Sequence, residues 1–124
     1  MKSEWVYLSH MRDCIELIEQ YISDQKNPMQ VPIIRDAVLR NLQLTGQSSL
    51  LLSDELKSRH PRVKWVELRG LRNLIVHDYF EIDYDKLEQT VMDNLPLLKQ
   101  AVLDELAKFP PEGPFKARKN RGSS

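Results

Sequence analysis

Eight consecutive residues, Arg72-Asn73-Leu74-Ile75-Val76-His77-Asp78-Tyr79, bring an arginine, a histidine and a tyrosine close together in the chain. Arginine is a permanently charged fork of donors that matches a phosphate. Histidine has the unperturbed pKa nearest neutrality, so it both takes and gives a proton under ordinary conditions. Tyrosine offers a hydroxyl that donates, accepts or is itself modified. The set points to chemistry on a phosphodiester. Arg72 and His77 are the catalytic candidates, Asn73 is a supporting amide, and Tyr79 is placed to bind a phosphate or a base.

Helical geometry limits how these groups converge. At about 100° per residue, Arg72 and Tyr79 are nearly eclipsed, while Arg72 and His77 are about 140° apart around the axis. One straight helix does not aim both at a single point. Either the helix ends near His77, or the site lies between two copies of the chain facing each other across a two-fold axis. The competing structural reading has His77 at a helix C-terminus, where the dipole favours a cation. Arg72 would then pair with a carboxylate, and Tyr79 would form an amphipathic edge of the core. His10 and His60 have no partners at metal-ligand spacing and read as surface or capping residues, so neither a metal site nor a cofactor is expected.

The elements that must position the motif are helical throughout. Leu8, Met11, Ile15, Ile18 and Ile22 recur at spacings of three and four and predict a first helix. Ser23 to Val31 contains Asp24, Asn27 and Pro28 and reads as a loop. A second helix starts near Pro32, a residue suited to a first turn. Its stripe is polar and small: Ile34, Ala37 or Val38, Asn41, Leu44 or Thr45, Ser48 and Leu52. Gly46 in mid-helix costs roughly 1 kcal/mol relative to alanine, which predicts a close helix approach there. Ser53 with Glu55 and Leu56 starts a short extra turn that ends before Pro61.

A third helix spans about Val63 to His77, with Trp65, Leu68, Leu71 or Arg72, and Ile75 along one side. Tyr79, Phe80 and Ile82 form a connection, and Asp83 caps a fourth helix. That helix carries Tyr84, Leu87, Val91, Leu95, Leu98, Val102 and Leu106 as one stripe, with a kink expected at Pro96. The fold class is therefore all-α, an antiparallel bundle of four main helices with a short extra helix. One helical domain is expected over residues 1–109, and a flexible basic tail over residues 110–124.

Composition sets the outer limits. A chain of 124 residues that is 41% hydrophobic holds one domain with a small core, which a partner subunit would help complete. No apolar run is long enough to cross a membrane, and Met1-Lys2-Ser3-Glu4-Trp5 lacks the pattern of a signal peptide, so a cytoplasmic location is expected. The single Cys14 excludes an internal disulfide and a cysteine-based zinc cage and reads as buried filler. The zero net charge hides an uneven distribution. Lys57, Arg59, Arg62, Lys64, Arg69 and Arg72 face only Glu67 across residues 57–72, whereas Glu81, Asp83, Asp85, Glu88 and Asp93 follow. A basic segment leading into the motif suits a polyanion. The alternative is a solvated face paired with the acidic helix that follows.

The pattern Arg72-Asn73-x-x-x-His77-x-Tyr79 resembles the signature of the HepT-like toxins, a branch of the HEPN (higher eukaryotes and prokaryotes nucleotide-binding) superfamily. The resemblance runs in order through Asp36-Ala-Val-Leu-Arg-Asn-Leu, Gly46, His60-Pro61, Trp65, Leu68 to Phe80, and Asn94-Leu-Pro-Leu-Leu98, covering about residues 7–106. It implies a small all-α homodimer whose two motifs line a shared cleft. It also implies a metal-independent endoribonuclease that is the toxin of a type VII-like toxin–antitoxin pair. The implied partner is a minimal nucleotidyltransferase antitoxin that transfers AMP to Tyr79 and blocks the ribonuclease.

In that setting His77 moves protons and Arg72 clamps the phosphate. Asn73 orients the histidine or the phosphate, and Lys57, Arg62, Lys64 and Arg69 contact the RNA. The sequence departs from the family after Gly46, and the variable position of the motif is also unusual. Gln47 follows Gly46 where relatives often carry an acid, and Asp78 stands where glycine is common. The alternative within the same superfamily is a non-catalytic nucleotide- or partner-binding subunit of a nucleotidyltransferase complex.

Overall fold

A computed structural model of the chain describes residues 3–111, 113 and 114. The first helix, α1 (Glu4–Ser23), starts where the Ser3 side chain accepts a hydrogen bond from the Trp5 amide at 3.1 Å, the capping arrangement that satisfies an otherwise orphaned donor. Leu8, Met11, Ile15 and Ile18 are fully buried along it, as the spacing predicts. Cys14 lies beside them, 3% exposed, and burial pushes its thiol pKa up. The segment after Ser23, expected as a plain loop, contains a 3-10 turn over Pro28–Gln30 that inserts Met29 into the core.

Helix α2 (Pro32–Leu50) begins at the predicted proline. Its buried face holds Val38, Asn41, Thr45 and Ser48 from the expected stripe, and also Leu39, Leu42, Gly46 and Ser49. The face is wider than one stripe because α2 packs on α1 along one side and on a later helix along the other. Its buried polar groups mostly close on their own helix. Asn41 Nδ2 donates to the Ala37 carbonyl at 2.9 Å, Thr45 Oγ1 to the Asn41 carbonyl at 2.7 Å, and Ser49 Oγ to the Gly46 carbonyl at 2.7 Å. These short return bonds remove the penalty of burying an unpaired hydroxyl or amide.

The expected extra turn is α3 (Asp54–Ser58), capped by Ser53 Oγ accepting from the Leu56 amide at 3.1 Å. Helix α4 (Trp65–His77) starts two residues later than the periodicity indicates. The intervening residues form a tight turn in which the Val63 amide donates to the His60 carbonyl, and the Trp65 indole Nε1 donates to the carbonyls of Lys57 and His60 at 3.2 Å. A second 3-10 turn covers Tyr79–Glu81.

Helix α5 (Tyr84–Leu106) is capped by Asp83, whose Oδ1 accepts from the amides of Asp85 and Lys86. It buries Leu87, Val91, Leu95, Leu98, Ala101 and Val102. The helix runs through Pro96 without a break. Pro96 and Met92, four residues earlier, both face solvent, so the missing backbone bond falls on the wet side.

α1 packs against α2 and α5, and α2 packs against α4. The result is the expected all-α antiparallel bundle of four main helices with α3 as the short addition. No strand occurs among the described residues, and no described helix is long and apolar enough to cross a membrane. Of the segment expected as a tail, residues 112 and 115–124 lie outside the described residues. Gly113 is buried against α1 at φ +81°, and a Cβ there would come within 2.6 Å of the Trp5 indole, so only glycine serves at that position.

Candidate functional site

Helix α4 carries the motif, and Gly46 on α2 sets how closely it is held. A Cβ on Gly46 would lie 2.6 Å from the Cβ of Arg72 and 3.3 Å from the Leu68 carbonyl oxygen. The missing side chain on α2 therefore makes room for the root of the motif arginine, the close approach that the mid-helix glycine predicts. Pressed against α2, Arg72 buries its Nε, which has no hydrogen-bond partner. Its Nη1 donates to Asn73 Oδ1 at 2.9 Å. Among the described residues no carboxylate pairs with Arg72, so the guanidinium's charge is not neutralised within the protomer.

Asn73 accepts this bond through its amide oxygen, and its amide nitrogen has no partner among the described residues. Residues adjacent on a helix do not normally face each other.

His77 is the last residue of α4 and is exposed. Its ring has no hydrogen-bond or ion-pair partner among the described residues, and it touches neither Arg72 nor Tyr79 through a polar contact. The helix thus ends at the histidine, which resolves one half of the geometric problem posed by the five-residue spacing. Tyr79 opens the 3-10 turn that follows and is 39% exposed, so it is not the core edge of the competing reading. Its Oη donates to Asp36 Oδ1 on α2 at 3.0 Å. That bond to the carboxylate, followed by partial burial, pushes the phenol pKa up from its ordinary value. Phe80 meets the Tyr79 ring edge-on at 5.8 Å and is itself 96% exposed.

Three residues of this neighbourhood make contacts that the sequence does not signal. Asp36 is 43 residues from Tyr79, and nothing local announces the pairing. Arg35 turns away from Asp36 and stacks over the Tyr84 ring at 4.5 Å, a cation–π contact. Tyr84 is near enough to Tyr79 to add to the upward shift of its pKa.

Of the basic segment, Arg62 and Arg69 are exposed and have no ion-pair partner among the described residues, and Lys57 is half-buried and likewise unpaired. Lys64 faces Glu67 at 3.6 Å. The acidic stretch from Glu81 to Asp93 neutralises none of them, so the expected alternative of a face paired with that stretch does not hold. Arg59 is consumed elsewhere. With His60 and Lys108 it surrounds Glu105, whose side chain is 4% exposed. His60 Nε2 lies 2.6 Å from Glu105 Oε2, and Arg59 Nη2 donates to Oε1 at 2.8 Å. The bond from Arg59 is the main cause that holds the Glu105 pKa down at about 2. His60, expected as a surface or capping residue, is therefore part of a polar clasp that closes over the buried Glu105 between the α3–α4 turn and the end of α5. His10 Nδ1 lies 3.2 Å from Ser48 Oγ. Among the described residues no group of three or more His, Cys, Asp or Glu is placed to hold a metal ion.

Comparison with known proteins agrees with the motif. Residues 11–104 match the family described as Ribonuclease HepT-like. A protein of Caldanaerobacter subterraneus subsp. tengcongensis, named as a putative RNase, is 29% identical over 87% of this chain and 98% of its own length. A protein of Thermococcus cleftensis named as a probable ribonuclease HepT is 30% identical over 75% of this chain and 86% of its own. A third, named as a putative RNase of Methanocaldococcus jannaschii, is 39% identical over 56% of this chain and 64% of its own. No solved structure matches. With three-quarters of its length matched and an unneutralised arginine and an unpartnered histidine on one helix of an all-α bundle, the chain belongs to the HepT-like ribonuclease family of HEPN proteins.

Proposed function

We propose that this chain is a metal-independent endoribonuclease that works as a homodimer in the cytoplasm. It is the toxin of a toxin–antitoxin pair and is silenced when a minimal nucleotidyltransferase transfers AMP to Tyr79. The observation that carries the reading is the state of the two motif side chains. Arg72 is pressed into place by Gly46 and oriented by Asn73, yet no carboxylate neutralises it. His77 stands at the end of the same helix with both ring nitrogens free. An arginine charge without a carboxylate and a histidine with free nitrogens support a site that binds an anionic ligand.

RNA carries its own nucleophile. The 2′-hydroxyl attacks the adjacent phosphorus, the bond to the 5′-oxygen breaks, and a cyclic phosphate remains. Such a reaction asks the protein for a proton acceptor, a proton donor and a cation at the crowded phosphorus. His77 supplies the proton transfers and Arg72 the cation, its fork matching two phosphate oxygens. A single protomer offers one histidine. A two-fold cleft offers two, one to take the 2′-proton and one to protonate the leaving oxygen. Arg62, Arg69, Lys57 and Lys64 supply attraction to the backbone regardless of sequence.

An AMP group on Tyr79 adds bulk and negative charge two residues from His77, which repels an RNA strand. Cleavage of a mixed RNA by the purified protein in EDTA tests the proposal. Wild-type protein cleaves, and His77→Ala loses activity by about 100-fold or more while keeping its melting temperature, since His77 is exposed and unpartnered. Binding without cleavage by both proteins assigns the chain instead to the non-catalytic class, a nucleotide- or partner-binding subunit of a nucleotidyltransferase complex.

A further inference from the structure

The proposal that Tyr79 accepts AMP leaves open what takes its proton. A phenol is a poor nucleophile until that proton leaves, and an activated oxygen needs a base within hydrogen-bond reach. Asp36 Oδ1 accepts the Tyr79 hydroxyl hydrogen at 3.0 Å. The two residues lie in different elements, 43 positions apart, so the bond depends on the fold and not on local chain geometry. Both side chains are reachable from solvent, with Tyr79 39% exposed. Asp36 has no ion-pair partner among the described residues, because the neighbouring Arg35 lies over the Tyr84 ring. A carboxylate left without a counter-ion and touching the hydroxyl is free to accept a proton.

We infer that Asp36 is the catalytic base for nucleotidylation of Tyr79, an inference that rests on the modification reading above. In this step a lone pair on Tyr79 Oη forms a bond to the α-phosphorus of a nucleoside triphosphate. The bond from that phosphorus to the bridging oxygen of the pyrophosphate breaks, and pyrophosphate leaves with the electron pair. The phenol proton passes along the existing hydrogen bond to Asp36 Oδ1. Protein kinases use the same logic, with an aspartate accepting the proton of the substrate hydroxyl. Once the phosphodiester has formed, Tyr79 has no hydrogen to donate and carries a negative charge. After Asp36 returns its proton to water, two like charges face each other and the modified ring is driven off α2. The acceptor chain thus brings its own base, and the nucleotidyltransferase need only supply the triphosphate in line.

The test follows transfer of AMP from ATP by the minimal nucleotidyltransferase, with magnesium, onto the full chain, read by intact mass over time. The variants are Asp36→Asn and Asp36→Glu. Asparagine keeps an oxygen that accepts the phenol hydrogen but is not basic, whereas glutamate keeps the base. With Asp36 as the base, wild type gains one AMP on Tyr79, D36N is slower by about 100-fold or more, and D36E recovers part of the rate, with the melting temperature unchanged in D36N. Modification of D36N at the wild-type rate overturns the inference and leaves Asp36 as a latch holding the turn to α2. Equal slowing of D36N and D36E, with both melting early, overturns it in the same way. Absence of AMP on the wild-type chain overturns the modification reading itself, and this inference with it.

Discussion

Arg72 occupies the space that a side chain on Gly46 would fill: the Cβ positions are 2.6 Å apart. The atom in the way is the root of the arginine, which cannot swing aside as a side-chain tip would. Gly46→Ala gains up to about 1 kcal/mol of helix propensity and forces overpacking that costs roughly 1–3 kcal/mol. The steric cost wins. The expected outcome is a loss of about 1–2 kcal/mol in urea melts, with RNA cleavage falling further than stability because Arg72 is displaced. An unchanged midpoint and unchanged cleavage would show that α2 and α4 are not held at this distance.

The bond from Arg72 to Asn73 predicts an effect on rate that runs through the arginine. Asn73→Ala removes a hydrogen bond to a charged group on an exposed helix face, worth about 1 kcal/mol or slightly more. A fall of roughly three- to tenfold in kcat/KM for RNA is expected, and the pH profile assigned to His77 should keep its shape. A shifted profile would mean that Asn73 acts on the histidine after all.

The exposed cations predict a salt signature. Neutralising Arg62 or Arg69 lowers the slope of log affinity against log salt by about 1 for each phosphate that the arginine would have neutralised. Lys64 shares its charge with Glu67 and moves the slope less. Filter binding to single-stranded RNA between low and moderate salt reads these differences. A slope untouched by both arginine variants would remove this face from the RNA path.

The clasp around Glu105 predicts an acid transition. The Glu105 pKa is about 2 in the folded chain, below its ordinary value of 4.5. A lowered carboxyl pKa contributes stability that is fully present above 4.5 and is lost as pH falls from there toward 2. Glu105→Gln keeps the shape and removes the charge from a side chain 4% exposed. The cost is about 1–2 kcal/mol, that of lost hydrogen bonds to a charged group, because Arg59 and Lys108 are partly exposed and regain water, and the pH dependence flattens over that window. Denaturant midpoints at about pH 6 and about pH 3.5 for both proteins measure it.

What the sequence disclosed was local, and what it withheld was pairwise. The stripe of α1, the proline that opens α2, and the caps Ser53 and Asp83 all express preferences that act within a few residues. Each is found where the spacing puts it. Gly46 was legible because a glycine in mid-helix needs a reason. The partners of Tyr79 and His60 are 43 and 45 residues away, and no periodicity encodes them. The bond between Asn73 and Arg72 was not legible either, because an adjacent pair on a helix normally diverges. Leu39 and Leu42 fall outside the expected stripe because a helix packed on two sides buries more than one.

Cys14 gives the experimenter an advantage. It is the sole cysteine of the chain, 3% exposed, with its thiol held in the unreactive protonated form by burial. Thiol reagents will therefore pass over the native protein. A cysteine introduced at the fully exposed Phe80, one residue from Tyr79, would be the single labelled position. A spin label or fluorophore there gives one distance if two copies face each other across a two-fold axis and none if the chain stays alone, so the pairing of two copies is decided directly in solution, before any RNA is added.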